Sequence, residues 1–457
     1  MSAPNPVPYY QPRPRSVVGP LILIAIGVVA LLATTGMIDR HALFMWFARY
    51  WPALIILWGV IKLAEYFWAR GKGYPTPRLG GGSIAFLIFF IIFGLMTTRL
   101  AGVDWGKLRG AIEDQGIDLS PDWEPGYDFS ENFAMPLPAA TQIKVLNGHG
   151  DIKVTASPDN QAHAIVQKNL HGDSQDDANR LDQSTNAKFV QQGTVWVLDL
   201  TGGDYQRGRF NLDLQLPRQG ALSLSTQHGN IAVSDHKGDL DLSTGGGDVT
   251  VEQITGNAAM HLHGHSLTAR KVSGDVTLDG GTNCDISEVG GSLTMTGSFA
   301  GGVQLSRIGK QVHFTTSRTD MQFARLDGDL NMEMDSLRAN SLTGPFRLDT
   351  RNKSVELEDL SGEIHINNKN ANVEIHPKGP LGPIDINSIH GEIDLAMPAN
   401  AGFQLNAESV GGEIQNEFNI NVNDSGRTTT ARGTVGKGGP EVRLKADHGT
   451  IQVRKQQ

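Results

Sequence analysis

The residues best suited to metal chemistry are His261, His263 and His265 in the run HLHGH. Imidazoles bind zinc or copper, and on an extended strand His261 and His263 would share one face. No carboxylate partner stands nearby in the sequence, and Gly264 breaks the strand before His265, so a solvated strand and turn accounts for the same residues. The run Gly245-Gly246-Gly247-Asp248 has the composition of a Gly/Asp-rich calcium roll, but the tandem copies such a roll needs are absent, and ordinary tight turns explain it. Gly148-His149-Gly150-Asp151 lacks the third glycine and the strand–turn–helix context of a nucleotide loop. The chain contains no P-loop, no GxSxG and no HExxH. Its one cysteine, Cys284, can form no intrachain disulfide and fits a small buried strand position. Acidic residues are dispersed, with no cluster of the kind a paired-carboxylate glycosidase uses. The expectation is a non-enzymatic protein with no catalytic residues and no cofactor, His261 and His263 being the only metal candidates.

The elements carrying these residues follow from charge and periodicity. Residues 1–110 hold 11 Lys and Arg against 3 Asp and Glu (+8), and the remainder holds 28 against 45 (−17). A basic segment beside an acidic body fits a membrane anchor with a solvated domain, and the acidic body argues against nucleic acid.

Within the acidic body a single phrase recurs: Gly, then Asp, Asn or Glu, then alternating apolar residues. It reads GHGDIKV at 148–154, HGNIAV at 228–233, GDLDL at 238–242, GDVTV at 247–251, GDVTL at 274–278, GEIHI at 362–366, GEIDL at 391–395 and GTIQV at 449–453. Glycine supplies turn conformations, and an adjacent Asp or Asn is expected to hydrogen-bond locally within the turn. Apolar residues two apart share a strand face, so Val249 and Val251 point inward and Thr250 outward, as do Val276 and Leu278 around Thr277. Gly238, Gly256, Gly274 and Gly291 are spaced by 18, 18 and 17 residues. A strand about every nine residues and a unit about every eighteen predict a mainly β protein whose repeat domain is β-solenoid-like, with an antiparallel meander as the alternative. The regular repeats span 221–400, between an N-terminal cap over 134–220, with a helix near 174–187, and a less regular C-terminal cap over 401–457.

Residues 1–100 read as an anchor of three transmembrane helices, at about 17–38, 50–68 and 80–98. The run from Ser16 to Ile38 is free of charge for 23 residues, enough to span the hydrocarbon. In the second, Trp51 and Trp58 suit the interface, Pro52 and Gly59 punctuate the helix, and Lys62 and Glu65, one turn apart, can pair or snorkel. Arg13 and Arg15 before the first helix, and Arg70, Lys72 and Arg78 between the second and third, place the N-terminus in the cytoplasm and the C-terminal domain outside it; Arg99, Lys107 and Arg109 run against that rule. Residues 101–133 show no sustained period and are read as a juxtamembrane linker.

The segment RYWPALIILWGVIKL resembles the "WP-apolar-G" helix of the LiaI/LiaF-like membrane regions of bacterial envelope-stress proteins, over residues 17–98. The run PAATQIKVLNGHGDIKV, a helix, LDLQLPRQGALSLSTQHGNIAVSD and the Gly-Asp repeats resemble the bacterial "putative adhesin" or toastrack family, over residues 134–457. The resemblances imply a non-enzymatic, inner-membrane envelope protein, acting as scaffold or sensor in envelope stress, with membrane proteins of such a system as partners. The alternative is an adhesin or envelope-glycan-binding module, and a polysaccharide-active β-helical enzyme is a third class. Open strand edges are compatible with homo-oligomers.

Overall fold

The computed structural model describes residues 126–138, 141–159 and 161–456, with short helical runs and single positions between residues 49 and 90. The chain divides into two compact units, Met1–Leu119 and Ser120–Gln457. In the first, residues 49–53, Ile55, Ile56, Gly59, Val60, Leu63, Phe67 and Phe90 are helical. Trp51, Pro52 and Gly59 therefore lie in helix, whereas Trp58, Lys62, Glu65 and the predicted helix 17–38 lie outside the described residues, as do most of 50–68 and 80–98. Among the described residues no helix is long and apolar enough to cross a membrane.

The second unit is built from coils of two strands each. One set of strands, Leu222–His228, Leu240–Thr244, Ala258–Leu262, Val276–Gly281, Leu293–Phe299 and Val312–Thr315, forms a parallel ladder. The other set, Ile231–Lys237, Val249–Thr255, Leu267–Val272, Cys284–Val289 and Val303–Ile308, forms a second. The pairing steps Leu222↔Leu240↔Ala258↔Val276 advance 18 residues each time, which is the repeat of the glycines. The inward positions of both ladders meet in one continuous apolar core: Leu242, Val251, Met260, Leu278 and Ile286 are fully buried. Burial of each such side chain stabilises by roughly 1.5–3 kcal/mol.

The glycines serve a second purpose besides turning. Gly238, at φ +142°, packs so closely on the preceding coil that a Cβ would lie 2.0 Å from the Gly220 carbonyl oxygen. The neighbouring acidic and amide side chains differ from expectation. They do not close local turns; they bridge coils. Asn230 N–H donates to Asp151 Oδ1 (2.9 Å), Asp248 N–H to Asn230 Oδ1 (2.8 Å) and Ser266 N–H to Asp248 Oδ1 (3.1 Å). A parallel column runs through Asp239, Asn257 and Asp275. Stacking puts the same turn of the next coil within reach, and its amide is a better-placed donor than the turn's own.

The regularity predicted over 221–400 is broken once. The strand Thr319–Phe323 pairs antiparallel with Val312–Thr315, and Arg325–Met332 antiparallel with Val303–Ile308, so this coil runs backwards. A second pair of antiparallel ladders, Ser336–Asn340 on Arg325–Met332 and Phe346–Arg351 on Thr319–Phe323, restores the original direction. The buried Lys353 holds the turn of the reversed coil, its Nζ donating to the carbonyls of Glu333 and Met334. The long strands Ser354–Lys369 and Val373–Ile389 then bend through both ladders.

The two ends are stitched alike. Gln142–His149 lies between Val195–Leu200 and Leu222–His228, so the first coil is enclosed by a later one. Glu441–Asp447 lies between Val373–Ile389 and Phe403–Val410, so the last coil is enclosed by an earlier one. The region from 401 onwards is thus more regular than its sequence suggested.

The predicted linker 101–133 also requires correction, because Gly126–Pro136 is a strand, paired antiparallel with Gln161–His171. Phe129, Phe133 and Met135 pack on the core, and Glu131 interrupts the alternation that would have disclosed them. Its carboxylate lies 2.8 Å from Lys168 Nζ, a side chain only 1% exposed, which also meets Asp182 Oδ1 at 3.0 Å. Asp182 belongs to the helix Gln175–Ser184, which Ser174 caps by accepting from Asp177 N–H (3.3 Å) and whose Ala178 and Leu181 face inward.

One pH effect follows from the packing. Burial pushes the His236 imidazole below its ordinary value, outweighing the favourable hydrogen bond from Nε2–H to Gly220 O (2.7 Å) and the charge of Asp235. Below the ordinary value of 6.5 the unfolded chain takes up a proton that the folded chain resists, so stability falls as pH drops through that point. Urea midpoints at about pH 7.5 and about pH 5.5 should show a larger acid-induced loss for the native sequence than for His236→Gln. Equal losses would remove His236 from the account.

Candidate functional site

His261 and His263 are both exposed. His261 lies on the outer face of Ala258–Leu262, with Nδ1 3.8 Å from Asp279 Oδ2 on the next coil. His263 falls beyond the strand's end, with Nδ1 3.4 Å from the Thr244 carbonyl. Among the described residues no three His, Cys, Asp or Glu side chains are grouped so as to hold a metal ion. Cys284 is buried, and burial pushes its thiol up to about 12, which keeps it protonated and unreactive.

A polar cleft lies where the reversed coil meets the stack. There the turn Thr316–Arg318 stands beside the ends of Phe346–Arg351, Ser354–Lys369 and Val373–Ile389, and a cleft of about 350 Å³ opens between them. Local hydrogen bonds pre-form the turn. Thr316 N–H donates to the Thr319 carbonyl (2.8 Å), and Thr316 Oγ1 accepts from the amides of Arg318 (3.2 Å) and Thr319 (3.0 Å). Beneath it the hydroxyls of Thr319 and Thr350 meet at 3.0 Å.

The register sets the lining. Asp320, Asp349, Asn367 and Asn387 occupy one row across four strands, with Asn367 Nδ2 donating to Asp349 Oδ1 (2.7 Å). Two residues further along, Arg351 and Lys369 stand directly opposite each other. Arg318 precedes Thr319, the register partner of Thr350, and so comes next in the same line. None of these three cations forms an ion pair among the described residues. Other cations on the stack pair, such as Arg270 with Asp285 (2.7 Å), Arg338 with Glu356 (2.8 Å) and Arg454 with Asp394, whereas Lys271, Lys310 and Arg347 are exposed without an ion pair among the described residues; what sets the cleft apart is three such cations side by side. Sequence reasoning missed this site. Aligning the chain at its own 18-residue repeat would have superposed Arg351 on Lys369, but Arg318 reaches them only through the reversal.

Behind the cleft, Asn368 turns inward and donates to the carbonyls of Lys353 (3.1 Å) and Ala371 (3.0 Å). Asn147 does the same at the other end of the stack, towards Gly150 (3.0 Å) and Phe210 (2.8 Å). These amides belong to the architecture of the turns.

A two-sided β-solenoid with a polar cleft defines a class of stacked-repeat proteins. Residues 140–454 match the family described as Toastrack DUF4097, and the chain belongs to that family. Residues 17–63 match the LiaI-LiaF-like transmembrane region, which assigns a membrane segment to the N-terminus. Two solved structures resemble the chain. One is described as a "putative cell adhesion protein" from Clostridium sporogenes ATCC 15579, 11% identical, covering 72% of this chain and 100% of its own, with a TM-score of 0.20. The other is described as a "Putative lipid binding protein" from Parabacteroides distasonis ATCC 8503, 11% identical, covering 71% and 96%, with a TM-score of 0.18. Superpositions this loose carry no weight for function. No curated protein matches the chain.

Proposed function

We propose that this chain is a non-enzymatic scaffold or sensor of cell-envelope stress, held in the cytoplasmic membrane by three helices and presenting its toastrack domain outside the cytoplasm. The observation that carries the reading is the presence, in one chain, of a LiaI-LiaF-like transmembrane region and a toastrack stack. Ile56, Val60, Leu63 and Phe67 support the membrane placement. They fall at helical spacing on one side, 55–67% exposed, as lipid-facing residues would be. The division of labour is an anchor over 1–100, a linker beginning at 101 and a β-repeat domain that includes the strand Gly126–Pro136. Partners would be membrane proteins of the stress system or further copies of the chain.

Adhesion through neutral glycan has less support. Glycan-binding faces commonly stack sugars on Trp or Tyr, and the sequence has neither after Tyr205.

The test is in-cell crosslinking of the tagged chain from intact membranes, with and without a cell-wall antibiotic. Enrichment of a membrane kinase, a stress regulator or a second LiaF-like protein is expected. Recovery of surface material alone, unchanged by the antibiotic, would overturn the reading.

A further inference from the structure

We propose that the cleft at the reversed coil binds an anionic saccharide, a sugar unit carrying a carboxylate or a phosphate. Two like charges stand side by side at the cleft. Arg351 and Lys369 are cross-strand neighbours on adjacent parallel strands, a placement that repels. Neither has a carboxylate partner among the described residues, in a body that carries 45 acidic residues against 28 basic ones after residue 110. Arg318 adds a third cation on the next strand end. An anion in the cleft would relieve the repulsion of all three, and guanidinium groups take carboxylate or phosphate oxygens in a bidentate fork.

The rest of the lining separates a charged sugar from a bare anion. Asp320 and Asp349 share the cleft and would repel a polyphosphate, but carboxylates accept hydrogen bonds from hydroxyl groups. With Asn367 and Asn387 they form a row of acceptors and amides on successive strands, about 4.8 Å apart, a spacing comparable to a pyranose ring. The pre-formed Thr316–Arg318 turn lowers the ordering cost of binding. The inference deepens the envelope reading by naming a ligand for the domain. Binding in vitro requires no membrane partner, so the two can fail separately.

The experiment is calorimetric titration of the full chain in detergent micelles with four probes: tetragalacturonate, glucose 6-phosphate, neutral maltotetraose and pyrophosphate. Binding of tetragalacturonate or glucose 6-phosphate is expected, and whichever binds identifies the anion. It should weaken with added salt, and maltotetraose should not bind. The triple variant Arg318→Gln, Arg351→Gln, Lys369→Gln should lose about tenfold or more in affinity. Arg270→Gln, on the other ladder, should bind like the native chain, and unfolding midpoints establish that both variants are folded. Failure of both charged sugars, tighter binding of pyrophosphate than of either, or equal affinity of the triple variant would overturn the proposal.

Discussion

Replacement of Gly247 by valine is expected to destabilise the β domain by about 3 kcal/mol or more. Two independent costs combine there. The backbone is held at φ +141°, a region nearly closed to residues with a Cβ. A Cβ would also lie 2.1 Å from the carbonyl oxygen of Gly229 and 2.4 Å from its carbon. Both obstructing atoms are backbone, so no rotamer change relieves the clash and the coils would have to separate. Separation would break the Gly229 N–H bond to the Gly246 carbonyl (2.7 Å) and the Asp248 N–H bond to Asn230 Oδ1 (2.8 Å). Gly302 is the control, since its φ is ordinary and nothing lies within 4 Å of its Cβ position. Gly302→Ala should change stability by no more than about 0.5 kcal/mol. Denaturant midpoints followed by far-ultraviolet circular dichroism compare the two. Coincident curves would show that close stacking is not what selects glycine.

The second large effect concerns the strand Gly126–Pro136. Glu131→Ala is expected to cost about 2 kcal/mol, reduced from the value for a fully buried pair because the Glu131 carboxylate is 24% exposed. The loss arises from what remains: a Lys168 ammonium 1% exposed, with Asp182 as its single carboxylate partner, and an Ala187 amide deprived of its acceptor at 3.1 Å. Lys168→Met should be milder, about 1 kcal/mol or less, because the aliphatic stem stays packed and the two carboxylates can hydrate. The discriminating result is the double variant, which should be more stable than Glu131→Ala alone. If the two losses simply add, the ion pair does not hold this strand. Limited proteolysis gives a second readout, since cleavage near 126–136 should accelerate in Glu131→Ala and not in Lys168→Met.

The same two places show how far the sequence reaches. The 18-residue spacing of the glycines and the period of two in phrases such as GDVTV follow from local geometry, and they determined the coil length, the inward residues and the mainly β character. The helix near 174–187 and the strands around it were readable for the same reason. The apolar runs and the phrase WPALIILWG pointed to the membrane segment, since bilayer thickness acts directly on sequence length.

Contacts between distant residues were not readable. The strand Gly126–Pro136 was hidden because Glu131 occupies an inward position made tolerable by Lys168, 37 residues away. The Asp and Asn columns read as local turns because their true donors lie one coil off. The reversal at Thr319–Phe323 leaves no mark in the spacing, since a strand traversed backwards alternates just as one traversed forwards. That reversal brings Arg318 to Arg351 and Lys369, so the cleft exists only in the folded chain. Periodicity therefore determined the coil by itself, and tertiary structure decided its direction, its partners and the site, because alternation carries no information about strand polarity.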